Sequence, residues 1–271
     1  MATYVRMKIV PIAGLPGATE MAAIRALTPV GVGGLVPSLP PFEFINPAYG
    51  VWIGKGYPYV EVEAWSGGGV GSNYTYVSPN PSHTGGGGGG GGGYARWIVP
   101  AALGCDLGIV MSSGTDGIGR SGDRISDDER RGNPAGVYLR PGGGAWMAAI
   151  ILGGEPGAQC EATGGTTAGG AGGTWASDFM GMVNLEPVYW APGQPGASGT
   201  MAGGGAGGAG AGPDAGAGGA GGGPCSAGGA GGHWGGGSGG IGPCNETTGQ
   251  WRATGNAGGT CTIVRYPRKY T

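Results

Sequence analysis

Long apolar runs are missing from this chain, and so are most of the residues that would build them. Phe occurs three times, and much of the 39% hydrophobic content is alanine. That composition is a poor source for an ordinary α/β enzyme core. No uninterrupted stretch of roughly 18 apolar residues occurs, so no membrane span is expected. Charge is also scarce, at 11% of residues with a formal net charge of −2. Lys and Arg are scattered apart from Arg265, Arg268 and Lys269. No basic patch points to nucleic acid or to an anionic membrane. The start, MATYVRMKIVPIAG, lacks a basic region leading into a long apolar core, so no signal peptide is expected.

The residues that carry chemistry are thin as well. The two histidines, His83 and His233, border glycine tracts and sit in no metal-binding spacing. GIGRSG (117–122) matches a dinucleotide fingerprint by letter, but no convincing strand precedes it and a charged loop follows. No phosphate-loop lysine and no G-x-S-x-G elbow occur. Asp127, Asp128 and Glu129 read as a solvated face rather than a calcium loop. The expectation is a protein without catalytic residues, metal or cofactor. The five cysteines show no two-residue spacing. They read as small buried residues, with a disulfide among Cys225, Cys244 and Cys261 as the alternative.

What the chain does hold is glycine, 72 of 271 residues, nine of them unbroken from Gly85 to Gly93. Each glycine loses much backbone freedom on folding. Dense backbone hydrogen bonding, close chain packing or oligomer contacts must offset that loss. Eight Trp and eleven Tyr argue against simple disorder.

The fold class expected is mostly β, with glycine-rich polyproline II-like or irregular segments and little helix. Residues 1–50 read as an N-terminal docking region, with a strand over Tyr4–Ile12 and a short helix over Ala18–Leu27. Residues 51–152 read as a β-rich domain with glycine loops. In it Tyr59, Glu61 and Glu63 alternate with Val60, Val62 and Ala64, as in a half-buried strand. A polar loop covers 112–135, with one helical turn possible from Ser126 to Arg130. Residues 153–250 form a glycine-rich region and 251–271 a C-terminal strand. From Gly204 to Gly240, every third position is Gly except Pro213, Cys225 and Trp234. Three residues per turn is the polyproline II repeat. Short rods that turn back and pack together are expected; an unstructured Gly/Ala linker is the alternative.

Aromatic residues beside the glycine tracts are candidate contact residues, because rigid rings give large contact area at low entropy cost. The candidates are Tyr74, Tyr76, Trp175, Tyr189, Trp190 and Trp234. Packing over the glycine rods is the alternative role for them.

The stretch YVEVEAWSGGGVGS…GGGGGGGGGYARWIV resembles the glycine-rich domain of bacteriophage tail fibre and related virion proteins. RPGGGAWMAAIILGG would be that domain's following strand, and TTAGGAGG and GGAGGAGAG its glycine-rich tail. The likeness covers about residues 55–264, and the Asp/Arg loop at 112–135 departs from it. Phage tip adhesins with packed polyglycine II helices are a looser likeness. The resemblance implies a non-enzymatic virion protein of a tail fibre or tail tip, acting as a homotrimer or fibre cap. It implies a host receptor or glycan as partner, met by loops between rods, and docking of residues 1–50 onto other virion proteins. A head fibre or capsid decoration protein is the nearest alternative. A glycine-rich ice-binding or cell-wall protein is a more distant one.

Overall fold

The computed structural model describes residues 42–45, 51–52, 59–75, 84–100, 103, 105–110, 126–160, 165–244, 250–251 and 255–266. The strand and helix expected within residues 1–41 lie outside the described residues. The fold is mostly β with very little helix, and it has two parts: a pair of packed sheets and a bundle of extended glycine-rich rods.

The first sheet has five antiparallel strands: β1 (Phe42–Ile45), β13 (Cys261–Tyr266), β3 (Tyr59–Trp65), β5 (Tyr94–Pro100) and β11 (Tyr189–Ala191), in that spatial order. The second has β2 (Val51–Trp52), β6 (Cys105–Val110), β7 (Ala135–Pro141) and β8 (Met147–Ile151). Alternation in β3 works as the residue pattern predicts. Val60, Val62 and Ala64 are fully buried, and they join Trp97 and Val99 of β5 in one core. Val137, Leu139, Ala149 and Ile151 complete that core from the second sheet. The opposite face of the five-stranded sheet carries opposite charges on neighbouring strands. Arg96 pairs with Glu61 at 3.0 Å, and Arg265 bridges Glu43 and Glu63. Cross-strand pairs of opposite charge suit this half-buried face.

The short pairs β4 (Tyr74–Thr75) with β12 (Gln250–Trp251), and β9 (Asp178–Phe179) with β10 (Met182–Val183), form separate ladders, and the second packs beside β8, where Asn184 bonds the Ile150 backbone. Among the described residues the one α-helix, α1 (Asp127–Arg130), is a single turn. Ser126 caps it, and Glu129 reaches back to the cap amide in a capping box.

The rods fill the rest. At its centre runs 85–93, the unbroken glycine stretch, with every residue buried. Its amides point three ways in turn. Gly85, Gly88 and Gly91 donate to Thr200, Ala197 and Gln194. Gly86, Gly89 and Gly92 donate to Ile241, Ser238 and Gly235. Gly87 and Gly90 donate to Ala158 and Glu155, and Gly93 donates to the Ser66 hydroxyl. Its carbonyls accept in the same rhythm from residues 66–72, 170–173 and 205–211. A three-residue period is that of the polyproline II helix, whose backbone has no internal hydrogen bonds and must find partners outside.

Those six neighbours also bond to one another around the ring: 66–70 to 154–157, 155–158 to 168–171, 170–173 to 193–196, 194–197 to 206–209, 205–208 to 237–240, and 69–72 to 238–241. The central rod therefore sits in a closed hexagon of rods, alternately accepting from and donating to its walls. Further rods extend the array. Segment 215–223 packs on 203–211 and on 235–240, and 226–232 packs on 215–223 and the outer side of 235–242.

Close packing dictates glycine. A Cβ added to any of Gly85 to Gly93 would stand between 1.9 and 2.8 Å from a neighbouring atom, in most cases a carbonyl oxygen. Rods with an open side need less glycine. In GGAGGA (204–209) the two glycine phases face other rods, while Ala206 is exposed. The chain crosses repeatedly between sheets and bundle. Rods 66–73 and 84–93 come from the same part of the sequence as β3 and β5, and β11 from within the later glycine-rich region.

Candidate functional site

The bundle has two unlike ends. At the proximal end the rods meet the sheets: β3 runs into 66–73, 85–93 into β5, β8 into 152–160, and 255–260 into β13. Two turns, at 212–214 and 233–234, lie at this end too. Aromatic rings close it. Trp65, 3% exposed, lies 4.9 Å from the Tyr94 ring and 5.2 Å from Trp234, and its indole N–H donates to Pro213. Burial, then the hydrogen bond to Glu63, pushes the Tyr94 phenol well above its ordinary range.

The distal end faces away from the sheets. Here the chain turns between rods at 200–203 and 223–226, and here lie β4 and β12. Rods 152–160 and 235–244 end at this pole, and 84–93 and 167–173 begin there. Met201 is 63% exposed on its turn. Cys225 and Cys244 form a disulfide that ties the 223–226 turn to the end of rod 235–244. The disulfide alternative is thus the arrangement found, without Cys261. Cys160 and Cys261 are buried free thiols, and burial pushes each up to about 11.

The candidate contact residues divide between these places. Tyr74 lies at the distal end, in β4, in register with Trp251. Tyr76 lies outside the described residues. Tyr189 and Trp190 are 57% and 41% exposed on β11, the sheet's edge strand, far from the distal turns. Trp175 packs against the sheet core, and its indole N–H donates to the Leu185 carbonyl at 3.1 Å. Trp234 takes a left-handed backbone conformation at a proximal turn and packs on Trp65. The distal disulfide and Met201 were not among the candidates. The signal for them is in the three-residue count. Pro213, Cys225 and Trp234 interrupt it because each lies in a turn, and successive turns alternate between the two ends. Cys225 is the distal one of the three.

Other features offer little chemistry. A shallow groove of about 430 Å³ runs over rods 155–159 and 168–171, with Arg130 and Arg131 at one end. Both arginines are paired, with Asp127 and with Glu155, so no net charge is left to hold an ion. Among the described residues no group of three His, Cys, Asp or Glu is placed to hold a metal. No described helix is long and apolar enough to cross a membrane. No family model matches the chain, and no curated protein matches it.

Proposed function

We propose that the protein is a non-enzymatic virion component of a tail fibre or tail tip, and that it contacts a host receptor or glycan through the distal end of its rod bundle. The observation that carries this reading is the polarity of the chain. Phe42, the first described residue of β1, pairs with Tyr266, the last of β13, at the sheet end farthest from the bundle. The leading segment and the trailing residues therefore join the described fold at one pole, and the turns between rods gather at the other. A stiff body with attachment at one end and exposed turns at the other suits an adhesin. Turns on a rigid scaffold tolerate sequence change that the rods cannot.

In this reading residues 1–50 dock the protein onto its virion neighbours, and the assembly is a homotrimer or fibre cap. The bundle holds the distal turns in fixed relation. Recognition needs no bond-making chemistry, only shape and polar complementarity, with Tyr74, Met201 and Trp251 on the segments at that pole.

The test is binding of purified protein to host cells. Replacing residues 74–83 or 201–202 with Gly-Ser segments of equal length should abolish binding while the melting temperature holds. Deleting residues 1–41 should leave cell binding intact and stop incorporation into particles. Binding that survives both distal replacements would refute the reading.

A further inference from the structure

We propose that the Cys225–Cys244 disulfide is a redox-operated latch that fastens the outermost pair of rods, 215–223 and 226–232, to the distal end of rod 235–244. This goes beyond host attachment and does not rest on it.

Three observations carry the proposal. First, that rod pair lies outside the ring of rods around 85–93. Neither rod touches the central glycine rod. They are held through backbone bonds to 203–211, 235–242 and 255–256. Second, the disulfide lies where that support ends. Cys225 sits in the distal turn in a left-handed conformation, and its amide donates to Pro243 at 2.9 Å, one residue before Cys244. Around it, the bonds from Gly222 to Gly240 and from Gly242 to Ser226 join the two tips. Third, access is one-sided and exchange is confined. Cys225 is on an exposed residue, Cys244 is 3% exposed, and the free thiols Cys160 and Cys261 are buried. High thiol pKa values keep those two from acting as thiolates near neutral pH.

Opening follows from that geometry. A thiolate of an external dithiol attacks Sγ of Cys225, the exposed residue of the pair. A mixed disulfide forms there, the Sγ–Sγ bond breaks, and its electron pair leaves on Sγ of Cys244, which takes a proton. The second thiol of the reagent then closes its own disulfide and releases Cys225 as a thiol. Two electrons pass from the dithiol to the protein. The freed tips separate at 222–228 and 240–244. The hexagon around 85–93 stays closed, because its bonds lie on the other side of rod 235–244.

The experiment treats the folded full-length protein with dithiothreitol, blocks thiols with iodoacetamide, and follows amide hydrogen exchange by peptide. The expected result is alkylation at Cys225 and Cys244, with exchange at 222–228 and 240–244 rising by about tenfold or more. Residues 85–93 and the sheets should not change. Three results would overturn the proposal: no alkylation of either cysteine, alkylation with unchanged exchange at the tips, or an equal rise in 85–93. The Cys225→Ser/Cys244→Ser variant, without reductant, should reproduce the exchange pattern of the reduced protein. A variant that exchanges like the oxidised wild type would also overturn it.

Discussion

A carbon placed on Gly90 would stand 1.9 Å from the carbonyl oxygen of Ala171, on the next rod. That contact is backbone against backbone, so no side chain can rotate away. Gly90→Ala should therefore abolish cooperative folding or cost about 3 kcal/mol or more, at the upper end of overpacking effects. Ala206→Ser, on an exposed phase of an outer rod, should change stability by less than about 0.5 kcal/mol. Thermal unfolding followed by circular dichroism compares the two. A tolerated Gly90→Ala would contradict the packed hexagon.

Ser66 stands where strand β3 becomes a rod. Its hydroxyl accepts from the Gly93 amide at 2.8 Å and donates to Leu152 at 2.7 Å, and the residue is fully buried. Ser66→Ala leaves the Gly93 N–H with no acceptor in a dry site. A loss of about 1–3 kcal/mol is expected in urea unfolding. An unchanged midpoint would show that the junction is solvated.

Trp234 separates packing from recognition. It is a ring of the proximal cluster with Trp65, at the end opposite the distal turns. Trp234→Ala should lower stability by about 2 kcal/mol, less than a fully buried tryptophan because the ring is partly exposed. Below its melting temperature the variant should still bind host cells. Loss of binding with unchanged stability would place recognition at the proximal end instead.

Alkaline pH should weaken the fold. Cys160 and Cys261 have folded values raised from 9.0 to about 11 by burial. The neutral thiol is the form the interior favours. Their contribution is therefore fully present below pH 9 and is lost as pH rises through 9 to about 11, where the unfolded chain ionises first. Urea midpoints should fall over that window, and the fall should shrink in Cys160→Ala and Cys261→Ala variants. A midpoint that stays level from pH 9 to 11 would contradict it.

Much of the architecture is legible in local pattern, because local pattern reports which side of a chain is covered. The alternation of Val60, Val62 and Ala64 against Glu61 and Glu63 marks β3 and its buried face. The helical turn read over Ser126 to Arg130 is α1. Glycine at every third residue from 204 marks rods, and Pro213, Cys225 and Trp234 mark their turns. The aromatic candidates divide less cleanly. Trp175, Tyr189 and Trp234 neighbour glycine tracts in sequence as Tyr74 does, yet they lie with the sheets. Adjacency to a tract says nothing about which end of the rod a residue occupies.

The amino-acid sequence by itself determined that short-range structure would be strands and three-residue rods, since two-residue alternation and glycine spacing are properties of one chain segment. Tertiary structure alone decided that 85–93 would be the middle of the bundle. A rod makes no hydrogen bonds within itself, so its order depends on which segments surround it. Six segments from 66 to 241 supply the walls, and only their assembly turns a run of glycines into a fully buried rod. The same assembly brings Cys225 to Cys244 and sets the distal turns at the pole opposite Phe42 and Tyr266.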